Sequence, residues 1–92
     1  MRTLKTTALF RKDYKRCQKR GLDMDQLKCV IDLLLAGKTL DQRYRDHALS
    51  GIYTGFRECH IQPDWLLIYL SSPDELILTA VRTGTHSDLF NL

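Results

Sequence analysis

Three histidines lie in the second half of the chain, each inside a short polar motif. They are His47 in Arg-Asp-His, His60 in Glu-Cys-His-Ile-Gln-Pro-Asp-Trp and His86 in Arg-Thr-Gly-Thr-His. Histidine is the side chain best suited to proton transfer near neutral pH. Asp64 and Arg82 belong to the same motifs, and the planar guanidinium of arginine can bind two phosphate oxygens at once. These residue types together suggest phosphoryl chemistry on nucleic acid.

Cleavage of RNA without a metal needs three groups. A base takes the proton of the ribose 2′-hydroxyl, a cation stabilises the crowded phosphate and an acid protonates the leaving 5′-oxygen. Two groups of the His/Asp type and an arginine supply this set, although a single histidine at a strand end is more often structural. A metal site is disfavoured because the adjacent Cys59 and His60 lack the usual ligand spacing. We therefore expect no metal and no cofactor.

Positive charge is concentrated in the first half of the chain. Residues 1–46 hold 12 Lys and Arg against six Asp and Glu, whereas residues 47–92 hold two against five. A basic helix face on a small protein favours a polyanionic partner, most often nucleic acid, although many such faces are only solvated. The positions assigned to RNA contact on this ground are Lys12, Lys15, Arg16, Lys19 and Arg20.

Length and composition indicate one globular domain over residues 1–92. Hydrophobic residues make up 43% of the chain and charged residues 27%, as in ordinary globular proteins. No apolar run approaches the ~20 residues that span a bilayer, and no apolar signal region follows the N-terminus, so we expect a cytoplasmic protein with no membrane partner. Three cysteines without a CxxC pair argue for a reducing compartment and against a disulfide framework or zinc finger.

The first half of the chain predicts a short strand followed by two helices. Residues 2–6 alternate weakly and form the strand, and Thr7 is a suitable N-cap for a helix that ends at Gly21. Asp23 and the glutamine three residues later resemble a capping box. An apolar stripe at helical spacing then predicts the second helix: Leu27, Val30, Ile31 and Leu34. About two residues join the helices, which predicts an antiparallel pair.

The second half predicts a long polar loop and three strands. Residues 38–51, which include His47, are polar and show no hydrophobic periodicity. Loops of that length are often functional. Strands are predicted over Tyr53–Ile61, Trp65–Leu70 and Leu76–Val81, and their short connections favour an antiparallel meander. The predicted fold class is therefore α+β, in the order β-α-α-β-β-β, with the N-terminal antiparallel helix pair packed on one face of an antiparallel sheet.

This topology brings the candidate residues to one end of the sheet. His60 ends one strand, Asp64 begins the next, and the chain reverses twice before it reaches His86. The side chain of Trp65 is predicted to be core more than a base-stacking group, whereas that of Phe90 is less easily explained as core and could stack on a base.

Three segments strongly resemble the YafQ-type mRNA interferase toxins of the RelE/ParE toxin superfamily. They are residues 45–51, residues 55–69 with the motif His-x-x-Pro-Asp-Trp, and residues 82–90, which open with Arg-Thr-Gly-Thr-His. The resemblance implies a bacterial, cytoplasmic toxin of a type II toxin–antitoxin system. It also implies a metal-independent endoribonuclease that cuts mRNA in the ribosomal A site. The implied partners are a DinJ/RelB-like antitoxin, the ribosome and mRNA, and operator DNA only as the toxin–antitoxin complex.

The resemblance also implies residue roles. Its catalytic positions are His47, His60, Asp64 and His86, with Arg82 near the scissile phosphate and the aromatic Trp65 and Phe90 linked to activity. We hypothesise that His86 is the general acid and that His60 with Asp64 forms the base. His47 would orient the substrate or share the proton transfer. Arg57 is assigned to RNA contact, and the basic first helix to ribosomal RNA, with binding that weakens as salt rises.

Two other functions stay open on the residues alone. A ParE-like inhibitor of DNA gyrase would share the fold but would not need clustered histidines. A non-catalytic module could act with its antitoxin as a DNA-binding repressor, for which the basic helix suffices and the His/Asp/Arg set is not required.

Overall fold

The computed structural model describes residues 2–72 and 74–90. Strand β1 spans Thr3–Thr6, and helices α1 and α2 span Ala8–Lys19 and Met24–Leu35. The second half contains the strands β2 (His47–Ala48), β3 (Arg57–Gln62), β4 (Trp65–Ser72) and β5 (Ile77–Gly84), followed by helix α3 (His86–Phe90). Single turns of 3-10 helix at Gln42–Tyr44 and Gly51–Tyr53 flank β2. The predicted α+β order is confirmed, with short elements added in the polar loop and after β5.

The predicted helix starts are confirmed by their capping contacts. The Thr7 hydroxyl accepts a hydrogen bond from the backbone N–H of Phe10 at 3.0 Å, and the Asp23 carboxylate accepts one from Asp25 at 3.1 Å. Each cap satisfies a donor that a helix start leaves free. Between the helices Gly21 has φ +80°, a left-handed conformation that glycine adopts without steric cost. The local sequence thus sets the turn that joins the helix pair.

The five strands form one sheet in the order β1-β5-β4-β3-β2. The pairs β2–β3, β3–β4 and β4–β5 are antiparallel, which confirms the predicted meander. Strand β1 instead pairs parallel with β5, so the expectation of a wholly antiparallel sheet is corrected at one edge. A parallel pair needs only a long crossover, and the chain between β1 and β5 provides one.

Helices α1 and α2 cover one face of this sheet. The main core lies between these helices and the sheet, and it includes Phe10, Leu27, Val30, Leu67 and Leu78. A smaller cluster on the other face contains Leu66, Ile68 and Leu89, with Tyr53 and Phe90 packed against it. Strand β4 is central and contributes buried residues to both faces, which explains its nearly continuous apolar sequence. The second face is the one that carries the histidines.

Some predicted boundaries shift. Tyr53 belongs to a 3-10 turn and β3 begins only at Arg57, because the tight turns after β2 use the residues that were predicted to open the strand. Leu76 has φ +53° and lies in the turn before β5. Among the described residues no helix is long and apolar enough to cross a membrane.

Candidate active site

The three histidines form a row on the second face of the sheet. The ring centroid of His60 lies 6.3 Å from that of His47 and 5.7 Å from that of His86. Pairing of β2 with β3 sets His47 opposite Glu58, and strand alternation puts Glu58 on the same face as His60. His86 arrives as the first residue of α3. The convergence predicted from the topology is therefore present.

His86 is held by Asp64. The imidazole Nδ1 and the backbone N–H of His86 lie 2.6 Å and 3.0 Å from Asp64 Oδ1. The backbone hydrogen bond, followed by that from the ring, lowers the pKa of Asp64 below its ordinary value. The carboxylate is ionised and accepts the Nδ1 proton, which directs Nε2 to any substrate. The expected pairing of Asp64 with His60 is wrong, because the hairpin turn that carries Asp64 faces the end of β5.

The partner of His60 is Glu58. The His60 Nε2 atom lies 3.1 Å from Glu58 Oε1, and its Nδ1 atom lies 3.3 Å from the carbonyl oxygen of Pro63. Because a carbonyl can only accept, Nδ1 carries a proton. Nε2 is then the nitrogen that can take up a further proton, and the Glu58 carboxyl group lies beside it. A proton that arrives at Nε2 forms an imidazolium, which the adjacent Glu58 carboxylate would stabilise.

The same tethering recurs at His47. Its Nδ1 atom lies 2.6 Å from the carbonyl oxygen of Arg45, and its Nε2 atom lies 4.0 Å from Glu58 Oε1. Each of the three rings is thus held by an oxygen at Nδ1, and Glu58, which is only 5% exposed, lies under two of them. Side-chain orientation in the row is fixed before any substrate binds.

Arg82 is fixed by a buried carboxylate. Its Nε and Nη2 atoms donate to the two oxygens of Asp13 at 2.9 Å and 3.0 Å, and the hydrogen bond to Asp13 raises the pKa of Arg82. Asp13 is 2% exposed and also accepts from the backbone N–H of Thr83 and from Arg16. Within the described residues strand β1 pairs with residues 77–80 of β5. Asp13 accepts from the backbone N–H of Thr83, which lies beyond that ladder. A phosphate that meets Arg82 meets a cation already oriented.

The aromatic residues separate into buried and accessible ones. Trp65 is 2% exposed, and its indole N–H donates to the Thr83 hydroxyl at 3.0 Å. Trp65 is therefore the core residue that the sequence favoured, and the alternative in which it contacts RNA by stacking on a base is corrected. Phe90 is partly buried and lies edge-on to Tyr53 at 5.8 Å.

The residues predicted to contact RNA also divide by their partners. Lys12, Lys15 and Lys19 are exposed along α1. Arg16 binds Asp13 at 2.8 Å, and Arg20 binds Asp88 through both carboxylate oxygens at 2.6 Å and 3.1 Å. Arg57 pairs with Asp46 at 3.3 Å. The three arginines of this set therefore have structural partners, and its lysines remain as exposed cations without a partner in the described residues.

Sequence reasoning missed three carboxylates. Glu58 stands two residues before His60 in a strand, which is the spacing of one face. Asp13 is the acid within a run of six basic residues. Asp88 follows Thr85 by three residues, the spacing of a capping box, and the structure shows both reciprocal bonds, at 3.0 Å and 3.1 Å. Each of these carboxylates therefore had a local sequence signal by which it could have been predicted.

Three potential metal ligands meet in the row. Ligand atoms of Glu58, His60 and His86 all lie within 4.8 Å of one another, and imidazole with carboxylate suits zinc, copper or nickel. The spacing that disfavoured a metal involved Cys59, which is buried beside the helices and takes no part in this set. The donor set therefore fits a divalent ion, and such an ion would polarise a phosphate oxygen.

A helix-backed mixed sheet that carries two imidazole–carboxylate pairs and a fixed arginine defines a small α+β protein equipped for acid–base chemistry. The family model described as the bacterial toxin of the type II toxin–antitoxin system, YafQ, matches residues 2–91. The chain belongs to this YafQ toxin family, and the resemblance drawn from its motifs is confirmed.

Individual relatives agree over nearly the full length. The mRNA interferase toxin YafQ of Escherichia coli strain K12 is 40% identical over 90 residues, which cover 97% of this chain and 96% of that protein. A crystal structure of the E. coli DinJ–YafQ complex matches with a TM-score of 0.89 at 40% identity and covers 98% of this chain and 99% of that chain. A crystal structure of a metal-bound toxin from Helicobacter pylori matches with a TM-score of 0.91 at 42% identity and covers 98% and 100%.

Proposed function

We propose that this chain is an endoribonuclease toxin that cuts mRNA in the A site of translating ribosomes. The observation that carries the proposal is the row in which His86, held by Asp64, stands 5.7 Å from His60, held by Glu58. Two imidazoles with separate carboxylates can act as acid and base on one ribose–phosphate. Membership of the YafQ family and the mRNA interferase name of the E. coli relative support mRNA as the substrate.

The proposed reaction divides the row into two roles. The His60–Glu58 pair accepts the proton of the 2′-hydroxyl, and the 2′-oxygen forms a bond to phosphorus. The P–O5′ bond breaks as Nε2 of His86 donates a proton to the 5′-oxygen. The products are a 2′,3′-cyclic phosphate and a 5′-hydroxyl. Arg82 offsets the charge of the crowded phosphate, and His47, half-exposed at the end of the row, orients the strand.

The same proposal includes the partners. An antitoxin of the DinJ/RelB kind would neutralise the toxin, as the E. coli DinJ–YafQ complex suggests for its own toxin, and operator DNA would be bound only by the toxin–antitoxin complex. The ribosome would be approached through the exposed lysines of α1, whose charge suits a ribosomal RNA surface.

A translating extract tests this function. The purified protein is added with a defined mRNA, and the new 5′ ends are mapped by primer extension beside His86→Ala, whose fold is checked by circular dichroism. Cuts in register with codons that disappear in the variant are expected. Wild-type protein that folds but leaves the mRNA intact would overturn the proposal and favour gyrase inhibition or repression.

The role of a metal is tested in the same extract. Cleavage should persist after the toxin has been dialysed against EDTA, because the proposed chemistry uses imidazole nitrogens alone. Added zinc should slow cleavage, since it would occupy the nitrogens that move protons. Loss of cleavage on dialysis, with recovery on zinc addition, would reverse the metal-independent part of the proposal.

A further inference from the structure

A groove of about 600 Å³ adjoins the row of histidines and has no role in the chemistry described above. It lies between α2, the 3-10 turn before β2 and the turn from β3 to β4. Its lining consists of Gln26, Cys29, Arg43, Tyr44, Arg45, His60, Ile61, Gln62 and Pro63. His60 belongs to both the groove and the row. Whatever fills the groove therefore lies directly beside the proposed scissile phosphate.

The fold leaves this groove open at a strand edge. Strand β2 pairs only with Arg57 and Glu58 of β3, so no strand covers residues 59–62 on that side within the described chain. The β2 ladder stops because Arg45 turns away with φ +48°. Unpaired backbone at an edge offers donors and acceptors to a ligand.

The groove is cationic and aromatic. Arg43 and Arg45 line it and are exposed, and neither guanidinium has an ion-pair partner among residues 2–72 and 74–90. Arg43 instead donates to the Tyr44 hydroxyl at 2.7 Å and lies over the Tyr44 ring at 4.7 Å. Guanidinium groups without a carboxylate partner, beside an aromatic ring, suit the phosphate and base of single-stranded RNA.

Two side-chain amides face each other across the groove. Gln62 Nε2 donates to Gln26 Oε1 at 3.0 Å, and the Gln26 amide nitrogen lies 3.4 Å from the Asp23 carboxylate. The Gln62 carbonyl oxygen and its second amide hydrogen remain for a ligand. A paired donor and acceptor on one amide matches the edge of a nucleobase.

We propose that this groove is a base-reading subsite for the mRNA nucleotide adjacent to the scissile phosphate. Arg43 and Arg45 would bind its phosphate, Tyr44 would contact its base and the Gln62 amide would select the base edge. This inference rests on the proposed nuclease function and adds to it a source of sequence preference, which the catalytic row by itself does not provide.

Cleavage by matched variants tests the subsite. Arg43→Gln/Arg45→Gln should raise KM by about tenfold, on the scale expected for removal of two cations from a phosphate site, with kcat within about twofold of wild type. Gln62→Leu should broaden the distribution of cleaved codons. The control Lys28→Gln/Lys38→Gln removes the same charge from the neighbouring groove on α2. It should change neither KM nor the distribution of cleaved codons. Equal effects of both double variants, or an unchanged codon distribution with Gln62→Leu, would overturn the subsite.

A binding experiment separates this inference from the nuclease proposal. Cys29 lines this groove and the neighbouring groove on α2 and is exposed, whereas Cys17 and Cys59 are buried, so iodoacetamide labels Cys29 selectively. A non-cleavable 2′-O-methyl adenosine hexamer should slow alkylation of Cys29 in the wild type and not in Arg43→Gln/Arg45→Gln. Protection without any mRNA cleavage would retain the subsite and reject the nuclease. Cleavage of mRNA without protection of Cys29 would retain the nuclease and reject the subsite.

Discussion

At the scale of single residues, the two imidazole–carboxylate pairs of the site differ in their surroundings. The Asp64 side chain is 66% exposed, and that of Glu58 is 6% exposed. Water screens a charge at Asp64, whereas a charge at Glu58 is compensated mainly by His60 and His47. The inner pair is therefore the more tightly coupled, and the outer pair chiefly holds the orientation of His86. This difference supports separate roles for the two pairs.

Glu58→Gln should lower single-turnover cleavage on the order of 10²-fold, the usual scale of one acid–base group. The amide can donate to His60 Nε2, which would occupy the nitrogen that accepts the proton, and it has no negative charge to stabilise the imidazolium. Asp64→Asn should cost less, because its oxygen still accepts from Nδ1 of His86. Rates are measured on one mRNA with circular dichroism as the control for folding. A Glu58→Gln variant with wild-type rate would remove the inner pair from the chemistry.

Trp65→Phe should reduce the free energy of unfolding by about 1–3 kcal/mol, because the hydrogen bond to Thr83 disappears and a smaller ring leaves space. Urea unfolding followed by circular dichroism measures the change. Trp65 is the single tryptophan of the chain, so its emission should be that of a buried indole and should stay unquenched when RNA binds. Strong quenching by RNA in folded protein would restore the stacking role that the structure contradicts.

At the scale of elements, α3 depends on α1. A helix of five residues is unstable alone, and this one is held by the Thr85–Asp88 capping box and by Arg20. Because Cβ at Gly84 would lie 2.9 Å from an Asp88 oxygen, the chain can enter α3 in this way only with glycine there. The basic helix therefore positions the segment that begins with His86.

Asp88→Asn should make stability less dependent on pH. The hydrogen bond from Arg20 lowers the pKa of Asp88 well below its usual range. The wild-type advantage should therefore be complete above the ordinary carboxyl pKa of about 4 and should shrink as pH falls towards the folded-state value. This advantage is measured as the difference in the free energy of unfolding between the wild type and Asp88→Asn at pH 7 and at pH 3. The exposed pair Lys28–Asp32 provides the control, because Asp32→Asn should have little effect at either pH.

The sequence predicted those elements whose signals are local. Apolar periodicity and capping residues located both long helices, and short turns predicted the meander. The parallel direction of β1 depends on contacts 74 residues apart, such as Thr7 to Val81, which periodicity does not contain. The partner of Asp64 was mistaken for a related reason. Both His60 and His86 were predicted at the same sheet end, and only the register of β4 with β5 decides which one the turn faces.

At the scale of the whole molecule, the basic half of the chain supplies both structure and surface. Arg16, Arg20 and Arg82 share two carboxylates, Asp13 and Asp88, so two of their three positive charges are compensated within the fold. The exposed Lys12, Lys15 and Lys19 are not compensated in the part of the chain that the structure describes. Net charge alone therefore overstates the RNA-binding surface, and along α1 the three lysines are its remaining candidates.

Lys12→Gln/Lys15→Gln/Lys19→Gln should weaken association with ribosomes and flatten its salt dependence. For each lysine that binds a phosphate, its replacement should lower the slope of log affinity against log salt by about 0.7 to 0.9. Sedimentation with ribosomes at several salt concentrations measures the slope, and thermal unfolding should be unchanged because these side chains are exposed. A triple variant with the wild-type slope would show that ribosomes are bound through another face.

The three cysteines should report how the molecule opens. Burial raises the pKa of Cys59 to about 12 and also raises that of Cys17, so neither thiol ionises readily while the fold is closed. Cys29 is exposed and should react with a thiol reagent at once, while the other two should react only when the fold opens. Cys17 lies in α1 and Cys59 in β3, so equal slow rates at both would show that the helix layer and the sheet open together. A Cys17 that reacts much faster than Cys59 would show that α1 separates from the sheet before the whole fold unfolds. The contact of this region with Asp88 and with the segment of His86 would then be lost first.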